Sequence, residues 1–116
     1  DEMYVDAGTF RVKVTPERAK VLGEYLGKEI VFGIRPEDIH DPQYAPPGIT
    51  AAPVEARVDV TELMGNEVFL YLVTGSKTFI ARVDPRTSAK VGNDVNVHFN
   101  MDNVHVFDRQ TERAIR

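Results

Sequence analysis

Four places in the sequence carry residue types that do chemistry in other proteins. Gly75-Ser76-Lys77-Thr78 ends like a phosphate-binding loop, in which backbone amides cradle phosphate oxygens and a lysine reaches the terminal phosphate. Here the Gly-Lys pair is broken, the upstream glycine is absent and strand-like alternation flanks both sides, so the stretch reads as a hairpin turn. Glu37 and Asp38 are adjacent carboxylates, but general acid–base work needs carboxyl groups held in separate environments within an enclosed site. In a turn, such neighbours serve as caps or ion-pair partners. The three histidines, His40, His98 and His105, form no i, i+2 or i+4 pair and have no cysteine to complete a ligand set, so no metal site is expected. Ser76 and Ser88 lie in polar turns without an elbow motif or a companion base, so no nucleophile is expected and the catalytic set is empty.

Composition narrows the remaining classes. Phe69, Tyr71, Phe79, Phe99 and Phe107 are the material of a stacking platform for single-stranded nucleic acid, but they alternate with aliphatic positions and read as core. A formal charge of −4 leaves no basic footprint for neutralising phosphates, so no nucleic-acid partner is expected. Zero cysteines exclude disulfides and thiolate metal sites and fit a reducing compartment. No run approaches the roughly 18 apolar residues of a membrane span, and the N-terminus lacks the basic start and apolar stretch of a signal peptide. Direct membrane insertion is therefore not expected. The chain opens on Asp1-Glu2 rather than methionine, which reads as an excised fragment.

These positions must be held by a scaffold dominated by period-two alternation. Phe10, Val12 and Val14 alternate with Arg11 and Lys13; Ile30, Phe32 and Ile34 alternate within residues 28–35. Val54, Ala56, Val58 and Val60 alternate with charged and polar neighbours, as do Val95, Val97 and Phe99. Residues 68–73 are apolar on both parities, the pattern of a strand covered on both faces at the centre of the core. One helix is expected: Thr15 caps it, Pro16 suits the first position and Glu17 the positive dipole end, with an apolar stripe of Ala19, Leu22 and Leu26 and a left-handed stop at Gly27. Residues 41–48, with three prolines, read as a linker, because proline removes a donor and restrains the residue before it. Met64-Gly65-Asn66 and residues 74–77 sit at hairpin spacing, and residues 84–92 make a longer polar connection. At 116 residues the expectation is one mainly all-β domain, 1–116. It comprises a smaller β lobe of about 1–40 with one short α-helix, the linker at about 41–48, and an OB-like small barrel of about five strands over about 49–116.

Three motifs then point to a family: Gly33-Ile34-Arg35-Pro36-Glu37, Glu62-Leu63-Met64-Gly65-Asn66-Glu67 and His105-Val106-Phe107-Asp108. In this order and spacing they resemble the C-terminal regulatory domain of maltose-type sugar-import ATPases, the transport-associated OB (TOBE) domain, over nearly the whole chain. The resemblance implies a non-catalytic regulatory and dimer-contact domain appended behind a nucleotide-binding domain. It implies a cytoplasmic homodimer at the inner face of the cell membrane, attached to transmembrane permease subunits and open to inhibitory signals from a regulatory protein. ATP and Mg belong to the nucleotide-binding domain, so no cofactor is expected on this chain. Carried onto this sequence, the motifs nominate Arg35, Glu37, Asn66, Glu67, His105 and Phe107 as interface or regulatory residues. Each also has a plain reading: Arg35-Pro36-Glu37 ends a strand, and Gly65-Asn66 can adopt positive φ in a hairpin without any ligand. The chain departs from the family pattern at both ends. It lacks the apolar strand that usually precedes, which leaves a strand edge open, and Gln110-Thr111-Glu112-Arg113 replaces a glycine-containing turn. Two alternatives stay open: a module binding a small oxyanion or sugar between the lobes, and an OB-type oligonucleotide binder argued from fold alone.

Overall fold

The computed structural model describes residues 2–116. In chain order its elements are β1 (Tyr4–Asp6), β2 (Arg11–Lys13), α1 (Pro16–Leu22), β3 (Ile30–Gly33), β4 (Ile39–His40), β5 (Ala51–Met64), β6 (Glu67–Thr74), β7 (Lys77–Val83), β8 (Asp94–Asn100) and β9 (His105–Asp108). Single 3₁₀ turns connect several of them. The fold is mainly β, as expected.

The expected hairpins form for a local reason. The β5–β6 and β6–β7 turns are two residues long and place Gly65 (φ +64°) and Gly75 (φ +59°) first, the position where positive φ matches the twist of the flanking strands. Asn66 does not share the positive φ expected of the pair. Inward residues of β5 follow the alternation, with Ala52, Val54, Ala56 and Val58 all buried. Val60 does not: the β5–β6 register shifts between Val58 and Val60, and past this bulge Val60 is 46% exposed. On β6, Leu70 and Leu72 are buried whereas Phe69, Tyr71 and Val73 are only half-buried, so its second face is partly covered.

The five-stranded sheet runs β4–β8–β5–β6–β7, all antiparallel. The five-strand count matches the expectation but the membership does not. β9 leaves to pair with β3, in the register Ile30↔Asp108 to Gly33↔His105, and β4 joins from before the proline-rich stretch through Ile39↔Phe99 and His40↔His98. The sheet curls, bringing β4 and the Pro36–Asp38 turn against β7, so it is a half-barrel. Residues 41–48 are not a free spacer. Asp41 Oδ2 accepts a 2.6 Å hydrogen bond from Thr87 Oγ1, and the Arg86 guanidinium lies 4.5 Å over the Tyr44 ring, tying the segment to the β7–β8 connection.

The helix starts as read: Thr15 is extended, its Oγ1 accepts from Arg18 N at 3.3 Å, and Pro16 opens the first turn. It stops earlier than the stripe implied. Gly23 keeps right-handed geometry and leads into a 3₁₀ turn, Gly23–Tyr25, so Gly27 takes its positive φ (+77°) beyond the helix. Leu22 is buried, but Leu26, extended past the last turn, is 68% exposed.

A single buried cluster runs from Val5 to Ile115 and joins all these pieces. At its centre Phe99, 1% exposed, meets Phe10, Phe32 and Phe79 with ring centroids 5.6, 6.4 and 5.5 Å away. The buried polar side chains are satisfied: Thr74 shares a 2.7 Å hydrogen bond with Thr9, and Asn100 Oδ1 accepts from Asp102 N.

Candidate functional site

The six nominated residues fall into two groups on different elements. Arg35, Glu37, His105 and Phe107 gather where β3 ends. Gly33 faces His105 across the β3–β9 ladder, and the His105 and Phe107 rings stack at 6.4 Å with 22° between planes. Pro36 drives this geometry by forcing Arg35 extended (φ −85°, ψ 152°) and opening the Pro36–Asp38 turn, closed by Asp38 N donating to the Arg35 carbonyl at 2.9 Å. Arg35 and Glu37 are exposed, and among the described residues neither joins an ion pair. Their neighbour Asp38 is held instead, accepting from Asn103 Nδ2 at 2.9 Å.

Asn66 and Glu67 lie at the tip of the β5–β6 hairpin. Asn66 occupies the exposed turn, while Glu67 Oε2 pairs with Arg82 Nε at 3.0 Å. Beside them Glu62 Oε1 accepts from the Tyr71 hydroxyl at 3.1 Å, a bond that raises the phenol's pKa because ionisation would set two anions together. The sequence reading passed over the most distinctive feature of this motif. Leu63 and Met64 are 71% and 48% exposed, and with Val60 they give the hairpin an apolar surface. The signal was present, since Leu63 and Met64 are consecutive beside a turn and consecutive strand residues point to opposite faces of the sheet.

Asp108, the last residue of the third motif, is the most heavily used polar group in the region. Its Oδ1 accepts from the Gln110 and Thr111 amides at 2.8 and 3.0 Å, and its Oδ2 accepts from the Tyr25 hydroxyl at 2.9 Å. The Thr111 amide, then the Tyr25 hydroxyl, hold its carboxyl below the ordinary carboxylate value. This knot shapes the Gln110-to-Arg113 turn, where Glu112 takes the left-handed conformation (φ +60°) that a glycine would adopt more cheaply. The segment then returns along β9, with Phe107 bridging to Ala114.

The remaining chemistry-bearing residues are dispersed. Gly75-Ser76 is a hairpin turn, with Lys77 paired to Thr74 across it. Ser76 and Ser88 are exposed, and Phe99 and Phe79 serve the core. No group of three or more His, Cys, Asp or Glu side chains could hold a metal among the described residues. Topology does bring His40 opposite His98. Concave surfaces flank the sheet. A groove of about 690 Å³ separates β1 from β3 and is walled by Tyr4, Phe10, Leu26 and Val31. A cleft of about 540 Å³ lies between residues 34–39 and β6–β7, lined by Ile34, Pro36, Asp59, Tyr71 and Phe79.

A curled five-stranded antiparallel half-barrel with one short helix is an OB-type fold. The chain belongs to the TOBE domain family, which matches residues 32–107, and the MalK OB fold domain family matches residues 1–39. It is 39% identical to the oligosaccharides import ATP-binding protein MsmX of Bacillus subtilis over 97% of this chain and 31% of that protein. It is 38% identical to the trehalose/maltose import ATP-binding protein MalK of Thermococcus litoralis over 99% of this chain and 32% of that protein. It is 41% identical to the multiple sugar-binding transport ATP-binding protein MsmK of Streptococcus mutans over 100% of this chain and 31% of that protein. The chain thus spans about a third of the length of these relatives. No helix among the described residues is long and apolar enough to cross a membrane.

Proposed function

We propose that this chain is the non-catalytic regulatory and dimer-contact domain of the ATP-binding subunit of a carbohydrate-import ABC transporter. The observation that carries this reading is the likeness of almost the whole chain to three sugar-import ATP-binding proteins. In this reading ATP and Mg²⁺ are handled by a nucleotide-binding domain of the same polypeptide. Two copies work in the cytoplasm, at the inner membrane face, with permease subunits and a regulatory protein. The apolar hairpin tip of Val60, Leu63 and Met64 supports a contact role, because exposed apolar residues clustered on one projection are the usual core of a protein interface. Arg35 and Glu37, exposed and outside any ion pair among the described residues, are suited to a polar rim that selects a partner.

Two measurements test it. ATP hydrolysis by this chain is expected at the level of buffer, and robust turnover would overturn the non-catalytic reading. In the longer subunit, Leu63→Glu is expected to weaken self-association at least tenfold by sedimentation equilibrium; unchanged association would remove the hairpin from the contact. A second reading, small-ligand binding, is favoured by the 540 Å³ cleft, whose size suits a small molecule. Asp59 is the one charged residue in its lining, with no lysine or arginine, which suits a neutral hydroxylated sugar better than an oxyanion. Calorimetric silence with maltose and with molybdate would dismiss it.

A further inference from the structure

His40 and His98 stand 58 positions apart in the sequence, yet they are direct partners in the antiparallel β4–β8 ladder. Directly opposed residues place their Cβ atoms roughly 4.5–5.5 Å apart on the same face of a sheet. That spacing lets one nitrogen from each imidazole approach a shared ion at about 2.0–2.1 Å. Both histidines are half-buried, which restrains their rotamers while leaving access to solvent. Neither imidazole makes a hydrogen bond among the described side-chain contacts, so neither has a partner to give up. On the far side of His98, β5 presents Pro53, which carries no charge. Asp38, two residues before His40, adds negative charge near the pair and is itself anchored by Asn103.

We propose that His40 and His98 form a two-histidine site for a late first-row divalent ion, Zn²⁺, Ni²⁺ or Cu²⁺, which clips the two-residue strand β4 to β8. Imidazole nitrogen suits these ions and not Mg²⁺ or Ca²⁺, which take oxygen ligands. Two protein ligands leave water to complete the coordination shell, so the site is weaker than a structural zinc centre with four. The consequence is mechanical. β4 joins β8 through two residue pairs, one of which is the histidine pair itself, so coordination would fasten the edge that curls toward β7. The ion competes with protons for the imidazole nitrogens, so binding weakens as the solution is acidified.

The test titrates Zn²⁺ and Ni²⁺ into the chain at pH 7.5 and follows the histidine ring resonances, amide exchange and melting temperature. Expected are one-to-one saturation, perturbation of the His40 and His98 rings but not of His105, and slower exchange of the β4 amides. A melting temperature several degrees higher is expected at a hundredfold excess over Kd. His40→Gln and His98→Gln should each weaken binding at least tenfold, while His105→Gln and a Mg²⁺ titration should change nothing. Should His40→Gln fail to fold, His98→Gln on the well-paired strand β8 carries the test together with the ring resonances. Ring resonances indifferent to millimolar Zn²⁺, or binding that survives both substitutions, would overturn the proposal.

Discussion

The β8–β5–β6–β7 body of the main sheet and the two short ribbons, β1–β2 and β3–β9, are built by opposite means. The strands of that body are seven to fourteen residues long; β5, β6 and β7 succeed one another through two-residue turns, β8 returns across residues 84–93 to pair with β5, and inward positions are sealed from Ala52 to Phe99. In the ribbons the strands have three or four residues, β1, β2 and β9 each bury a single valine, and β3 finds its partner at the far end of the chain. The main sheet is held by its own ladders. The ribbons are held by what they touch: Phe10 and Phe32 reach the Phe99 ring, Tyr25 reaches Asp108, and Thr9 reaches Thr74. Local pairing makes a sheet, whereas side-chain anchors decide where the rest of the chain attaches.

The largest effect expected is at the shared anchor. Phe99→Ala removes a fully buried ring that both regions touch and should cost about 3–5 kcal/mol, read by urea denaturation. One cooperative transition is expected in the parent chain; two separate transitions would mean that the regions fold independently. Next come the hairpin glycines, which separate turn strain from anchoring. At Gly65 an added methyl meets nothing, so Gly65→Ala should cost only the roughly 1–2 kcal/mol of forcing positive φ on an L-residue. At Gly75 the same methyl lands 2.5 Å from Thr9 Cγ2, so Gly75→Ala should cost clearly more by disturbing the Thr9–Thr74 anchor. Equal losses at the two positions would deny that the β1–β2 ribbon rests on this turn. Glu112→Gly should stabilise by about 0.5–1 kcal/mol by relieving left-handed strain, a small rise in melting temperature.

The smallest effect is a pH dependence at the join between regions. Burial, reinforced by His98 and opposed by Asp38, lowers the pKa of His40 below the ordinary 6.5. Folding therefore favours neutral imidazole. The contribution is whole above about pH 6.5 and is lost as pH falls from there through the folded-state value. Denaturation midpoints should drop modestly between pH 7.5 and 5.5, and His40→Gln should flatten part of that slope. The surface ion pairs among the described residues, Lys13–Glu2, Arg82–Glu67, Arg86–Asp84 and Arg109–Glu29, should give little measurable signal in the same experiments.

Legibility followed the same division. The alternations from Val54 to Val58 and from Val95 to Phe99, the glycine turns and the Thr15-Pro16 cap were readable because each depends on neighbours within a few residues. The Val60 bulge, the early end of α1 and the exposed Leu26 were not, because a one-residue register shift or a change of turn type reverses which face a side chain shows. Of the site, the motif positions were readable, but their uses were not. Glu67 is engaged by Arg82, Asp108 rather than His105 carries the hydrogen-bond knot, and the exposed tip belongs to Leu63 and Met64.

By itself the sequence determined the class of fold, the absence of any phosphate-loop or cysteine chemistry, and the three motifs that place the chain in its family. Those features reside in residue type and short spacing. The tertiary structure alone decided which strands join, so it took β4 into the main sheet, sent β9 to β3 and set His40 opposite His98. Such pairings close loops of tens of residues, and their free energy comes from burying a shared core, which no local pattern encodes.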